Sequence, residues 1–206
     1  CGEFLAGCVV TAHLQKMGRK AIYLSGFQAG IRCNGVYGDA RVTEVKTERL
    51  LKLLEEGYIP VVAGGQGATD DGEVCMLGRG GSDTTGCTLG VALGAERTEI
   101  YTDVTGVMTS DPRVIQNAQL IRKMSYQNCI DMAYQGAKVM HPRSVETAAQ
   151  LPSMGLYVRS TYSDDPGTLI GQTSGQPGLV GVALQENQLV VRGTVTPEFL
   201  KLLATK

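Results

Sequence analysis

The chain has 206 residues, 43% hydrophobic and 19% charged, which is the composition of a globular protein and not of a disordered one. Its 19 basic side chains are balanced by 20 acidic ones, so no charge surplus points to nucleic acid. No apolar run approaches the ~18 residues that cross a bilayer, and a chain this long buries enough surface to hold a core without disulfide or metal.

Phe4, Leu5, Cys8, Val9, Ala12 and Leu14 recur at helical spacing over residues 4–17, and Gly18 closes the segment. KAIYLS (20–25) reads as a buried strand. The pattern VTEVKTERLLKLLEEG predicts a helix from Val42 to its stop at Gly57. IPVVA (59–63) is continuously apolar, the kind of strand buried on both faces of a parallel sheet. A helix is expected over 83–93, a strand over 99–102, helices over 125–134 and 143–150, and a strand over 156–159. Strands alternating with helices predict an α/β fold with a mostly parallel sheet. GQTSGQPG then reads as a linker, spanning 172–178, between a domain at 1–171 and the opening of a second, α+β domain at 179–206. That opening comprises a hairpin around Glu186-Asn187 and a short helix.

The six cysteines (Cys1, Cys8, Cys33, Cys75, Cys87, Cys129) form no C-x-x-C pair and no zinc spacing, and the two histidines lie far apart. Free thiols in a reducing cytosol are expected, with no metal site. The start is not a signal peptide, and the chain opens on a cysteine where a helix is beginning, as a fragment would.

Glycine is the outlier, at 27 of 206 residues. Two glycine clusters, GGQG and LGRGGS, lie within 64–82, joined by a hairpin-like ATDDGEVCM. Neither is a P-loop, and the dinucleotide fingerprint fails because Asp70 holds its last position. GRGGSDTT nevertheless opens directly onto a helix. Gly80 and Gly81 let backbone N–H groups face a ligand, Ser82 or Asp83 is placed to cap the helix, and Arg79 adds a fork suited to carboxylate or phosphate. An ordinary tight turn with an N-cap is the alternative. YTDVTGVMTSDPR gathers Thr102, Asp103, Asp111 and Arg113 after a strand, where α/β folds place ligands, although Asp-Pro-Arg is also a common turn. GAKVMHPR sets Lys138 just past a helix end, where it complements the helix dipole or contacts phosphate.

Taken together and in this order, LGRGGSDTT, EIYTDVTGVMTSDPR, GAKVMHPRSVE and VRSTYSDDPGTLI closely resemble the aspartokinases of the amino acid kinase family, over residues 1 to about 170. The tail from Leu179 resembles the start of the ACT regulatory domain that follows in them. The resemblance implies a phosphotransferase that moves a phosphoryl group from ATP, with Mg²⁺, to the side-chain carboxylate of L-aspartate. The product, 4-phospho-L-aspartate, enters lysine, threonine and methionine synthesis. It also implies a cytoplasmic homodimer assembled through the ACT region, with lysine or threonine as effector and no membrane or nucleic-acid partner. By the same resemblance Glu3, Arg79, Gly81, Ser82 and Asp83 bind substrate. Arg79 pairs its carboxylate, and Asp83 organises the catalytic centre. Thr102, Asp103, Met108, Arg113 and Lys138 line the nucleotide site. Kinases of the same family acting on glutamate or N-acetylglutamate, and a non-catalytic chain that binds nucleotide or effector, are the alternatives.

The sequence departs from the family pattern at several points. No Lys-x-Gly-Gly-Ser/Thr strand is present, since Lys16 and Lys20 lack the glycines. Met108 stands where Tyr is usual, Gly65 where Phe is usual, and Thr105 where Asp or Pro is common. These 206 residues alone are therefore expected to turn over more slowly than a chain that carries the strand.

Overall fold

A computed structural model describes residues 2–137, 139–172 and 181. In chain order its elements are α1 (Gly2–Lys16), β1 (Ala21–Leu24), β2 (Ile31–Cys33), β3 (Val42–Val45), α2 (Glu48–Glu55), β4 (Ile59–Val62), β5 (Gln66–Ala68), β6 (Val74–Met76), α3 (Gly81–Ala92), β7 (Arg97–Thr102), β8 (Lys123–Ser125), α4 (Tyr126–Tyr134), α5 (Pro142–Ala148), β9 (Gly155–Ser160) and β10 (Thr168–Gly171). The second-domain opening, its hairpin and its helix lie outside the described residues, as do Lys138 and Cys1.

The strands form a β1–β4 pair and two mixed sheets, ordered β7-β9-β10-β8 and β3-β2-β5-β6. Parallel ladders join β1 to β4, β2 to β5, β7 to β9 and β8 to β10. Antiparallel ladders join β2 to β3, β5 to β6 and β9 to β10. The α/β class expected from the alternation is therefore present, with antiparallel hairpins inserted among the parallel pairs. The β5–β6 hairpin is the one expected between the glycine clusters.

Two expectations are corrected. The segment from Val42 is not helical: Val42–Val45 is a strand, and the helix begins at Glu48. Val42, Thr43 and Val45 are β-branched, and Val42, Glu44 and Val45 pair with Cys33, Arg32 and Ile31, which overrides the charged helical pattern that follows them. Ile59–Val62 is parallel as expected but is not buried on both faces. Ile59 is 42% exposed, because the only partner of β4 among the described residues is β1. Likewise α1 forms as predicted, yet it buries only Gly7 and Thr11, against Tyr23, and leaves Phe4, Leu5, Val9 and Val10 exposed.

The largest core lies between α3, α4, α5 and the β7-β9-β10-β8 sheet, where Cys87, Met124, Cys129, Val145, Met154, Leu156, Val158 and Ile170 pack together. Tyr126 is buried in it and donates its hydroxyl to the Met154 carbonyl at 2.5 Å, satisfying the one polar atom that ring carries inward. Among the described residues no helix is long and apolar enough to cross a membrane.

Leu156 is fully buried at the centre of this core. Leu156→Ala is expected to lower unfolding stability by about 2–5 kcal/mol, read from the shift of the urea midpoint.

Candidate active site

The glycine clusters and the first helix meet at one point. Glu3, in the first turn of α1, accepts a hydrogen bond from the Gly64 amide at 3.3 Å and another from the Ser82 hydroxyl at 2.5 Å. Its neighbour Gly65 donates its amide to Thr85 Oγ1 at 3.0 Å, and the Gly65 carbonyl accepts from the Leu77 amide at 2.9 Å. Three segments far apart in the chain are thereby tied to the N-terminus of α3. There the first-turn amides of Ser82 and Asp83 have no partner within the helix and are available to an anion.

The helix cap differs from the expectation that Ser82 or Asp83 supplies it. Gly80 is the N-cap, in the left-handed region at φ 68°, and no side chain bonds the helix end. A Cβ on Gly80 would drive into the Cβ of His141, so glycine is required there for both backbone conformation and space. Freed from capping, Ser82 points to Glu3 and Asp83 lies half-buried beside His141.

Burial holds the Asp83 carboxyl above its usual range, and the nearby His141 charge partly opposes this. Burial holds His141 below its usual value, with Arg143 adding to the effect and Asp83 opposing it. Arg79 is exposed and has no hydrogen-bond or ion-pair partner among the described residues. Its guanidinium is thus uncommitted, at the mouth of the loop.

The second group of candidates sits at the end of β7. Thr102 donates its hydroxyl to Asp103 at 3.1 Å, and the Thr102 carbonyl accepts from the Thr161 amide at 2.8 Å, which fixes the turn. Met108 pairs with Leu120 in an isolated antiparallel bridge. Arg113 is bound to Asp111 through both Nε (3.0 Å) and Nη2 (2.7 Å), so reaching a phosphate requires exchanging one anion for another.

Packing places both groups at the same edge. A Cβ on Gly86 would touch Ile100, and one on Gly90 would strike Thr98, so α3 and β7 run in opposite directions. Four helical residues rise about 6 Å and two strand residues about 6.6 Å, so the two elements advance in step. The head of α3 and the turn after β7 therefore lie toward the same, carboxyl, end of that strand.

Three contributors were missed in the sequence. Thr85, buried behind the loop, receives the Gly65 amide while donating to the Gly81 carbonyl. His141 caps α5 by accepting the Arg143 amide. Arg143 reaches the Leu77 carbonyl. All three lie inside the quoted motifs, but no local pattern sets them apart from ordinary helix-start residues. The buried thiols of Cys33, Cys87 and Cys129 are pushed up to about 11, about 12 and about 12, so they stay protonated and serve as packing, not as nucleophiles. Among the described residues no group of three or more His, Cys, Asp or Glu could hold a metal ion.

Comparison with known proteins follows the same lines. The model of the amino acid kinase family matches residues 1–158. Aspartokinase 1 of Bacillus subtilis is 48% identical over 170 residues, covering 82% of this chain and 42% of that protein. The chain thus spans less than half the length of this relative. The structure of E. coli aspartokinase III in complex with aspartate and ADP (R-state) superposes with a TM-score of 0.77 at 32% identity, covering 84% of this chain and 40% of that one. The same enzyme with lysine and aspartate (T-state) gives 0.73 at 32% identity, with the same coverage.

Because the folded-state pKa of Asp83 is raised, its burial destabilises the fold as pH climbs past the ordinary 3.8, and the cost is complete above the raised value. Asp83→Asn should therefore raise the urea midpoint at neutral pH. That gain should vanish in acid below 3.8, where both side chains are neutral.

Proposed function

This chain belongs to the amino acid kinase family, and we propose that it transfers the terminal phosphoryl group of ATP to the side-chain carboxylate of L-aspartate. The observation that carries this reading is the Glu3–Ser82 hydrogen bond at the head of α3, three residues along the chain from the uncommitted Arg79. An amino acid brings an ammonium for the Glu3 carboxylate and a carboxylate for the Arg79 fork. It then presents a second carboxylate, already ionised at neutral pH, so no general base is required. Phosphoryl transfer asks for positioning and charge neutralisation rather than covalent help.

In this reading Arg79, Gly81 and Ser82 hold the acceptor, and the first-turn amides of α3 face the transferring oxygens. Asp83 organises the centre. Thr102 and Asp103 hold the nucleotide, Met108 lines its site, and Arg113 and Lys138 reach the phosphates. Mg²⁺, when bound, supplies neutralisation of the phosphate oxygens. The ion would be carried by the triphosphate, with Asp83 and Asp103 as carboxylates of this chain able to face it. Residues 1–171 form the catalytic unit, 172–178 the linker and 179–206 the opening of an ACT-like domain. Through that domain the protein dimerises and senses lysine or threonine. The aspartokinase III complex with lysine supports an effector of that class. The enzyme is a cytoplasmic member of amino-acid biosynthesis.

Two substitutions in the full-length protein test this assignment. Arg79→Ala should raise the aspartate KM or lower kcat by ~1.5–3 kcal/mol, the worth of a charge-assisted hydrogen bond, in an ADP-release assay run over a panel of amino acids. Normal kinetics would reduce the loop to a turn, and a preference for glutamate or N-acetylglutamate would move the substrate. Asp103→Ala should weaken ATP binding by calorimetry, and unchanged affinity would remove Asp103 from the nucleotide site.

A further inference from the structure

The segment Gly78–Gly81 has little conformational preference of its own. Gly78 (φ 76°) and Gly80 (φ 68°) both occupy the left-handed region, with the exposed Arg79 between them. Something outside the segment must select one arrangement, and two residues at the start of α5 are placed to do so.

Arg143 is 15% exposed, and its guanidinium spans two anchors. Nη1 donates to the Leu77 carbonyl at 2.6 Å, one residue before the loop. Nη2 donates to Asp39 at 2.5 Å. Asp39 itself lies against the loop, since a Cβ on Gly78 would come within 2.9 Å of the Gly38 carbonyl and 3.2 Å of the Asp39 carboxylate. At the other end of the segment His141 fills the space beneath Gly80. Leu77 is thereby fixed on both sides, its amide to Gly65 and its carbonyl to Arg143. The Arg143 Nε is buried and makes no hydrogen bond, so an arginine is kept here for its fork at the expense of one unsatisfied donor.

We propose that Arg143 is a positioning residue: by holding the Leu77 carbonyl and Asp39 together while His141 supports Gly80, it sets the conformation in which the Gly78–Ser82 loop receives the amino-acid substrate. The proposal rests on the reading of that loop as the acceptor site. It also makes the GAKVMHPR segment a mechanical support of the acceptor loop, beyond any contact it makes with nucleotide.

The test is amide exchange of the loop together with steady-state kinetics of the natural full-length protein. Arg143→Gln is expected to speed exchange across Gly78–Ser82 and to raise the aspartate KM about ten-fold or more, leaving the ATP KM within about two-fold. Arg143→Lys, which offers a point charge instead of a fork, should recover part of the loss. Asp39→Ala keeps the Arg143 side chain and its bond to the Leu77 carbonyl, and should shift loop exchange and the aspartate KM in the same direction, which keeps the test open if the Arg143 variants fold poorly. Unchanged loop exchange with an unchanged aspartate KM would overturn the proposal. So would equal rises in both KM values with the lysine variant no better than the glutamine one. If loop exchange rises but an acid other than aspartate proves to be the acceptor, the positioning role stands and the aspartate reading falls.

Discussion

One carboxylate joins the parts of this site. Glu3 accepts from Gly64 and Ser82, residues 61 and 79 positions away along the chain, and so brings the first helix, the first glycine cluster and the head of α3 to a common point. The location suits its charge. Glu3 lies in the first turn of α1, where the helix dipole favours an anion, and it faces the first turn of α3, where the same is true. Without it the two glycine clusters would share only backbone contacts. With it the head of α3 has a fixed negative group three residues along the chain from the uncommitted Arg79.

Three arginines of the quoted motifs fall into two kinds. Arg143 and Arg113 are already bound to acceptors, the first to a carbonyl and Asp39, the second bidentately to Asp111. Arg79 is not. Bound arginines stiffen the framework, because each planar fork fixes two partners at once. An unbound one at a loop mouth retains its full hydrogen-bonding capacity for a ligand. The half-buried Asp83 stands apart from both: its carboxyl sits where desolvation disfavours the charge, at a cost to stability.

Much of this was legible from residue order. The helix at 2–16 and the strands at 21–24, 97–102 and 155–160 follow from periodicity and from glycine stops. The motif series singled out the Gly78–Ser82 loop and the turn after β7, which the structure places at the head of α3 and the end of β7. The misread segment at Val42 shows the limit: a charged helical pattern begins within a few residues of a β-branched run, and only the pairing with Ile31–Cys33 decides where strand ends and helix begins. The cap of α3 was misread for a related reason. Ser and Asp are good caps by propensity, but the cap falls two or three residues earlier, at Gly80 where His141 approaches closely, and Ser82 turns toward Glu3.

The sequence by itself determined the α/β class and the chemical identity of the groups in the quoted motifs, because these depend on residue type and short-range spacing. Tertiary structure alone decided which of those groups touch. It set the Glu3–Ser82 bond, the support of the loop by Thr85, His141 and Arg143, and the alignment of α3 with β7 that brings two motifs to one edge. The physical reason is that hydrogen bonds and packing act over a few ångströms in space, while the residues that make them here lie tens of positions apart along the chain.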